Sequence, residues 1–488
     1  MNLLSKIVKV PLLISIIIWH TCSVNANTKG KEVKLEVVLD SSIHSVPYLL
    51  VYENNFGATT LQSDRKEIVP TQKTSNSYLF KLSDQTKPMY FSLVYNKGVT
   101  VVFLLKTFHY EPGDQITMVM KMQKYHISWI FSGKNAAKYN CRYGLFKAGE
   151  IVIGSMEVPG NSKYKINDIR MYKMKAQLLF VKEFRPRIPT YSSELLQADI
   201  IGMHMMEIIN SEDNALSNAI KKDDTLAVRQ AQVMFDRNFK EVYGSDIPDT
   251  VLFQSRFYPD YLLQKLKYGS RLKNKKIIYN DLFKDIEQIP YFALRDKIVV
   301  LLFGQYRNAF SDEFNDLLKG ALALVSNKEC QEKLRQYGSV ADGKKAMDFE
   351  LQDVNGKLVK LTDFKGKVVF VDFWFTGCGA CSSYYKNVLS TVESGYKTND
   401  DVVFVTICVD AAKDKWLSSL KSGEYSSEQA INLYTNGLGN THDLVKYYNI
   451  FGYPQPMIIG RYGTIVNFLG DELRNREGLI RAIENARM

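Results

Sequence analysis

The chain reads as three fold classes in succession: an N-terminal β-sandwich, a central α-helical region and a C-terminal α/β domain. Three textures predict this. Between residues 31 and 131, apolar and polar residues alternate in short runs, as in half-buried strands. From about Ala137 to Lys345, apolar residues recur at helical spacing instead. Beyond Ala346, the run Val368–Phe373 reads as a strand covered on both faces and turns directly into a helix start. A length of 488 residues accommodates two or three domains.

The first 26 residues have the layout of a secretory signal peptide. Lys6 and Lys9 precede an apolar run from Val10 to Trp19, and Val24, Asn25 and Ala26 offer a small-residue cleavage site. The run is too short for a membrane span. Cys22 raises lipid anchoring as an alternative, but Trp19, His20 and Thr21 make a poor lipobox. The predicted destination is the periplasm or cell envelope, with cleavage after Ala26.

Residues 27–136 carry the sandwich. Strand-like runs recur at Val33–Leu39, Tyr48–Tyr52, Tyr78–Leu82, Tyr90–Tyr95, Val99–Phe108 and Ile116–Met122, with polar or glycine-containing breaks between them. Ile116, Met118, Met120 and Met122 alternate as one core face. Residues 137–345 form the helical region, with helices expected over Ile169–Phe184, Glu194–Asn210, Thr225–Tyr243 and Glu329–Tyr337. Pro186 and Pro189 separate the first two, and Ser211–Asn214 reads as a turn. The basic run Arg271–Lys276 is expected in a loop. Ser339–Lys345, small and polar, is the expected linker to the last domain, residues 346–488.

In that domain Cys378 and Cys381 lie three apart at the predicted helix start, on one face and within reach of a disulfide. Backbone N–H groups and the helix dipole there favour a thiolate on the first cysteine. This is thiol–disulfide exchange chemistry. Upstream come Asp348–Leu351, Asn355–Lys357, Leu361 and Lys365–Lys367; downstream come Asp401–Asp410, Trp416 and Tyr448–Gly460 with its Gly452-x-Pro454 spacing. With these pieces in this order, residues 346–488 resemble the thioredoxin-fold oxidoreductases, and more closely their TlpA/ResA-like periplasmic branch. Tyr110–Thr117 followed by Phe131–Ala136 resembles the N-terminal domain that precedes such modules in certain Gram-negative bacteria, which implies no activity of its own.

The resemblance implies a role for each matched residue. Cys378 is the exposed nucleophile and Cys381 the buried resolving thiol. Asp372 takes the place of the buried acid that exchanges a proton with Cys381. Trp374 walls the site. Pro454 is a cis-proline facing the disulfide, with neighbouring backbone that pairs with substrate; Pro456 is a rival for that place. The chain also departs from thioredoxin. Gly377 stands before Cys378, Gly379 and Ala380 stand between the cysteines, and Thr406 stands where a lysine partners the buried acid. Without that cation Asp372 is expected to titrate higher. Gly379 stands where the branch that reduces apocytochrome c often carries glutamate.

Other chemistries fit less well. A zinc site would need a second Cys or His pair at suitable spacing, and none follows, so no metal or other cofactor is expected. A thiol peroxidase would carry Thr or Ser three residues and Pro seven residues before the cysteine; Phe375 and Val371 are there instead. An envelope partner-binding protein with a secondary redox module is the alternative from another class. Cys408 reads as a buried small hydrophobe, and Cys141 and Cys330 as two free buried thiols with a bridge between them as the alternative; with so few cysteines this is not a disulfide-stapled chain. The whole chain carries +11, while residues 346–488 hold fifteen Lys/Arg and seventeen Asp/Glu, a net of −2. The positive excess therefore lies upstream, as a solvated face or an attraction to anionic envelope surfaces. The expected partners are disulfide-containing client proteins and an unidentified membrane electron donor, not nucleic acid.

Overall fold

A computed structural model describes residues 30–488, apart from 53–55, 57–64, 98–99, 124–125, 155–162, 240–243, 307–312, 449, 451 and 469. The signal-peptide segment 1–26 lies outside the described residues.

The N-terminal strands are β1 Lys31–Val38, β2 Tyr48–Tyr52, β3 Arg65–Ile68, β4 Gln72–Thr74, β5 Ser77–Gln85, β6 Met89–Lys97, β7 Thr100–Tyr110, β8 Gln115–Gln123 and β9 His126–Lys134. They form two sheets, ordered β4-β5-β1-β8-β9 and β3-β2-β6-β7. Alternation sets the packing. Leu35, Phe80 and Met118 from the first sheet meet Leu49, Phe91 and Phe108 from the second in one apolar core. The methionine stripe is core, as its alternation predicts. The outer face of the second sheet is apolar too: Tyr48, Leu50, Tyr52, Tyr90 and Val94 join the helical core. The sandwich therefore packs directly on the helices.

The helices are α1 Ala136–Gly154, α2 Lys163–Phe184, α3 Thr190–Lys221, α4 Thr225–Phe239, α5 Asp249–Gln254, α6 Tyr258–Asn274, α7 Tyr279–Glu287, α8 Phe292–Tyr306, α9 Phe314–Leu324 and α10 Lys328–Ser339. Three expectations need correcting. Ser211–Asn214 is not a turn but the interior of α3, because Ile208, Ile209, Leu216 and Ala219 keep the buried helical spacing across it. Within that stretch the buried Glu212 accepts a hydrogen bond from Asn167. Arg271–Asn274 is the last turn of α6, closed by Lys275 in the left-handed region, and Arg271 pairs with Asp213 at 3.3 Å.

Ser339–Lys345 is also not a free linker. Val340 and Ala341 are buried, and Gly343 N donates to Ile465 O while Ile465 N donates to Lys344 O, each at 2.7 Å. The segment thereby extends a sheet edge of the last domain. Cys141 and Cys330 are buried and free, on α1 and α10.

The C-terminal domain contains β10 Glu350–Asp353, β11 Leu358–Lys360, β12 Val368–Trp374, α11 Gly379–Tyr384, α12 Ser390–Gly395, β13 Val402–Cys408, α13 Lys413–Ser422, β14 Ile431–Tyr434, α14 Asp443–Tyr447, β15 Gln455–Ile459, β16 Ile465–Asn467 and α15 Arg476–Arg487. A π-helical turn, Tyr385–Leu389, joins α11 to α12. The sheet runs β11-β10-β14-β13-β12-β15-β16, with β12 parallel to β13 and antiparallel to β15. All seven residues of β12 are buried. Val368 and Phe370 face a core built with α11, α12 and α15, while Val369, Val371 and Phe373 face the other side. By the same alternation Asp372 shares the face of Val368 and Phe370, under the helices that carry the cysteines.

Candidate active site

The central strand delivers the cysteines. β12 ends at Trp374, three residues form a loop, and Cys378 becomes the N-cap of α11. Gly377 in that loop has φ +92°, the left-handed region that favours glycine over the bulky residue thioredoxin places there. Cys378 and Cys381 are joined in a disulfide, with Cα atoms 5.3 Å apart. Cys381 N donates to Cys378 Sγ at 3.1 Å, so a backbone dipole points at the first sulfur. A thiolate there accepts the same bond, which favours its charged form.

Cys378 is less open than expected. It is 6% exposed against 2% for Cys381, so in the disulfide form both sulfurs are covered. The cover comes from Trp374 and Tyr425, which pack with the cysteines, and from the Tyr453 carbonyl oxygen, 3.8 Å from Cys378 Sγ. Tyr453–Pro454 is the cis peptide bond found among the described residues. Pro456 instead sits within β15, opposite Asp372 in the strand register. Pro454 therefore holds the place that its Gly452-x-Pro454 spacing predicts.

Asp372 is 2% exposed, and its Oδ1 has no hydrogen-bond partner. Burial pushes its carboxyl up to about 8, opposed by the positive charge of Arg474. Its charge in turn reaches Tyr384, three residues beyond Cys381 on α11. Thr406 is its register partner on β13. The Thr406 hydroxyl, however, turns to Asn432 at 2.8 Å and Ser426 at 3.2 Å. Threonine in place of the lysine does not leave Asp372 without a cation acting on it. Arg474 provides one from a turn a hundred residues downstream.

Trp374 lies flat on Tyr425, ring centroids 5.0 Å apart and planes within 5°. Tyr425 OH accepts the Gly377 N–H at 3.0 Å, so the stack also fixes the loop before Cys378. Trp416 stacks likewise on Tyr434 at 4.9 Å. Cys408 pairs in register with Trp374 and is buried, as expected, and its thiol donates to Asp410 Oδ2 at 3.4 Å. Burial pushes that thiol well above its ordinary range.

Asp410 is the main residue the motif reading passed over. It accepts from Thr376 N at 3.2 Å and from the Thr376 hydroxyl. Lys415 lies 3.5 Å from its carboxylate and donates to Thr376 O at 3.2 Å. Ser419 meets the Thr376 hydroxyl at 2.7 Å. The signal was available: β12 and β13 are parallel neighbours, so residues just past their ends share one sheet edge. For Tyr425 and Arg474 no local pattern existed. His442 caps α14, its Nδ1 accepting from Leu444 N at 3.2 Å, and plays no part in the site.

A redoxin family model matches residues 341–461. The C-terminal domain is a redoxin domain. It contains the loop, both cysteines, Asp372, Trp374 and cis-Pro454 within the matched span. The chain is 33% identical over 69 residues to the thiol-disulfide oxidoreductase ResA of Bacillus subtilis (strain 168), covering 14% of this chain and 38% of that protein. The match thus spans little more than a third of that relative's length. ResA of Bacillus thuringiensis subsp. konkukian (strain 97-27) is 26% identical over 132 residues, 27% of this chain and 70% of that protein. Among solved structures, the thioredoxin domain of a thiol-disulfide oxidoreductase from Bacteroides vulgatus is 26% identical, with TM-score 0.26, covering 30% of this chain and 98% of that one. A thiol-disulfide oxidoreductase from Bacteroides fragilis is 19% identical, with TM-score 0.26, covering 29% and 98%. The chain combines this redoxin domain, of thioredoxin-like fold, with a sandwich and a helical part that precede it. Among the described residues no helix is long and apolar enough to cross a membrane.

Proposed function

We propose that this chain is an exported thiol–disulfide oxidoreductase that reduces disulfides in envelope proteins. One observation carries the reading. A Cys378–Cys381 disulfide sits at a helix N-cap, against the carbonyl preceding cis-Pro454, with a buried acid on the strand face beneath.

In the dithiol form, the Cys378 thiolate attacks one sulfur of a substrate disulfide. A Cys378–substrate bond forms, and the other substrate sulfur leaves as a thiolate. Cys381 then loses its proton and attacks Cys378 Sγ. The mixed disulfide breaks, the second substrate sulfur leaves, and the Cys378–Cys381 bond forms. The substrate gains two electrons and two protons, and the enzyme dithiol loses them. Ionised Asp372 takes the Cys381 proton, and its neutral form returns a proton to a leaving thiolate. A membrane electron donor restores the dithiol. Export rests on the residue pattern of 1–26, and the names of the relatives agree with this chemistry.

Equilibrating the purified full-length chain with glutathione buffers tests the direction. A potential near thioredoxin's, about −270 mV, is expected for a reductase. A value near −120 mV would make the protein an oxidant and overturn the reading.

A further inference from the structure

The turn Asp471–Arg474 enters neither the motif reading nor the steps above, yet it touches both halves of the site. Leu473 is fully buried, and Tyr384 of the redox helix donates its hydroxyl hydrogen to Leu473 O at 2.7 Å. That bond ties the turn to α11 one helical turn past Cys381. From this anchored position Arg474 Nη1 donates to Pro454 O at 3.2 Å. The carbonyl it holds follows, by one residue, the Tyr453 carbonyl that faces Cys378 Sγ.

The positive charge of the same guanidinium opposes the upward push of burial on Asp372. The groups around Asp372 are Thr406 on β13, the Gln455 and Phe373 backbone, Tyr384 on α11, and Arg474. Of these only Arg474 is a cation.

We propose that Arg474 is a positioning residue for the exchange reaction: held by the turn anchored on α11, it clamps the cis-Pro454 carbonyl beside the one that faces Cys378. The inference rests on the dithiol mechanism above. The clamp and the charge separate by chemistry. A lysine keeps the charge but loses the planar fork that fits a carbonyl at a fixed angle, whereas a glutamine loses the charge. A cation lowers the pKa of a facing carboxyl, so its loss raises that pKa. The ionised base that resolves the mixed disulfide then appears only at higher pH.

The test follows mixed-disulfide decay by stopped flow between pH 6 and 10, in the full chain and in Arg474→Gln and Arg474→Lys, with circular dichroism confirming the fold. Arg474→Gln should move the midpoint of the decay profile up by about one pH unit, roughly tenfold slower decay below it. Arg474→Lys should restore the midpoint but keep a raised KM for a peptide disulfide. In an Asp372→Asn background, Arg474→Gln should shift nothing further. An unchanged midpoint and KM in Arg474→Gln overturns the proposal. A full chain that reduces no disulfide at all overturns instead the mechanism on which it rests. If Arg474→Gln does not fold, an Arg474→Lys variant with wild-type KM and a displaced midpoint would equally overturn it.

Discussion

Asp410 accepts the backbone N–H of Thr376 at 3.2 Å, so the end of β13 holds the loop that presents Cys378. A carboxylate is suited to this because it accepts several donors at once, here a backbone amide, a hydroxyl and the Lys415 ammonium. Asp410→Ala leaves these groups with fewer partners, which costs about 1–3 kcal/mol for a buried donor. The melting temperature should fall, and attack by Cys378 should slow more than resolution. Asp410→Asn, which still accepts, should lose less. Equal rates of first attack in wild type and Asp410→Ala would reduce Asp410 to a stability role.

The cysteines should be unreactive in the oxidised protein and unequal in the reduced one. Cys378 lies at the helix N-cap and receives the Cys381 amide, whereas Cys381 is inside the helix. Timed alkylation after reduction should label Cys378 first, with an apparent pKa below the ~8.5 of a free thiol. Cys378→Ser should abolish disulfide reduction, and Cys381→Ser should accumulate a mixed disulfide. Faster labelling of Cys381 would reverse the two roles.

Asp372 ties activity to stability. Its folded pKa is raised to about 8, above the ~3.9 of an exposed aspartate. Below both values the carboxyl is neutral in either state and costs nothing. As pH rises from about 4 to about 8 the unfolded chain releases a proton that the folded chain retains, so stability falls across that window. Asp372→Asn should therefore stabilise the fold by an amount that grows to a few kcal/mol near pH 8 and vanishes near pH 4. The same variant should slow resolution roughly ten- to a thousandfold while sparing first attack. Melting curves at pH 4 and pH 8 check the first claim; a constant difference between them would contradict it.

The start of the redox fragment should matter. A fragment beginning at Ala346 lacks Val340 and Ala341 and the two bonds between Gly343, Lys344 and Ile465. It exposes the β16 edge, whose free N–H and C=O groups invite association. A fragment from Val340 should melt several degrees higher and stay monomeric, with dithiol activity in both. Indistinguishable melting would show that the segment only spans the two parts.

Much of this is legible in the amino-acid order alone. The alternating stripe of Ile116, Met118 and Met120 marks a sandwich core because side chains in a strand repeat every two residues. The apolar run into Cys378-x-x-Cys381 marks a buried strand feeding a helix, because both signals are local. Asp372, Trp374 and Pro454 are what the resemblance to thioredoxin-fold oxidoreductases implies, each matched by its place relative to a local motif. By contrast, Ser211–Asn214 looked like a turn because its residues are polar, whereas the flanking apolar periodicity carries α3 straight through.

What only the tertiary structure decided are the relations between distant segments. The amino-acid order determined which strand carries the cysteines, which proline has the cis spacing and which acid lies in the apolar strand. Folding determined that Arg474 holds the Pro454 carbonyl and lends its charge against the burial of Asp372, that Asp410 holds Thr376, and that Tyr425 braces Trp374 and Gly377. It also determined that residues 340–345 lie pinned to β16. The reason is physical. Periodicity and capping act within a few residues of the chain, whereas a charge or a hydrogen bond acts across whatever space the packed helices and sheet leave between two side chains.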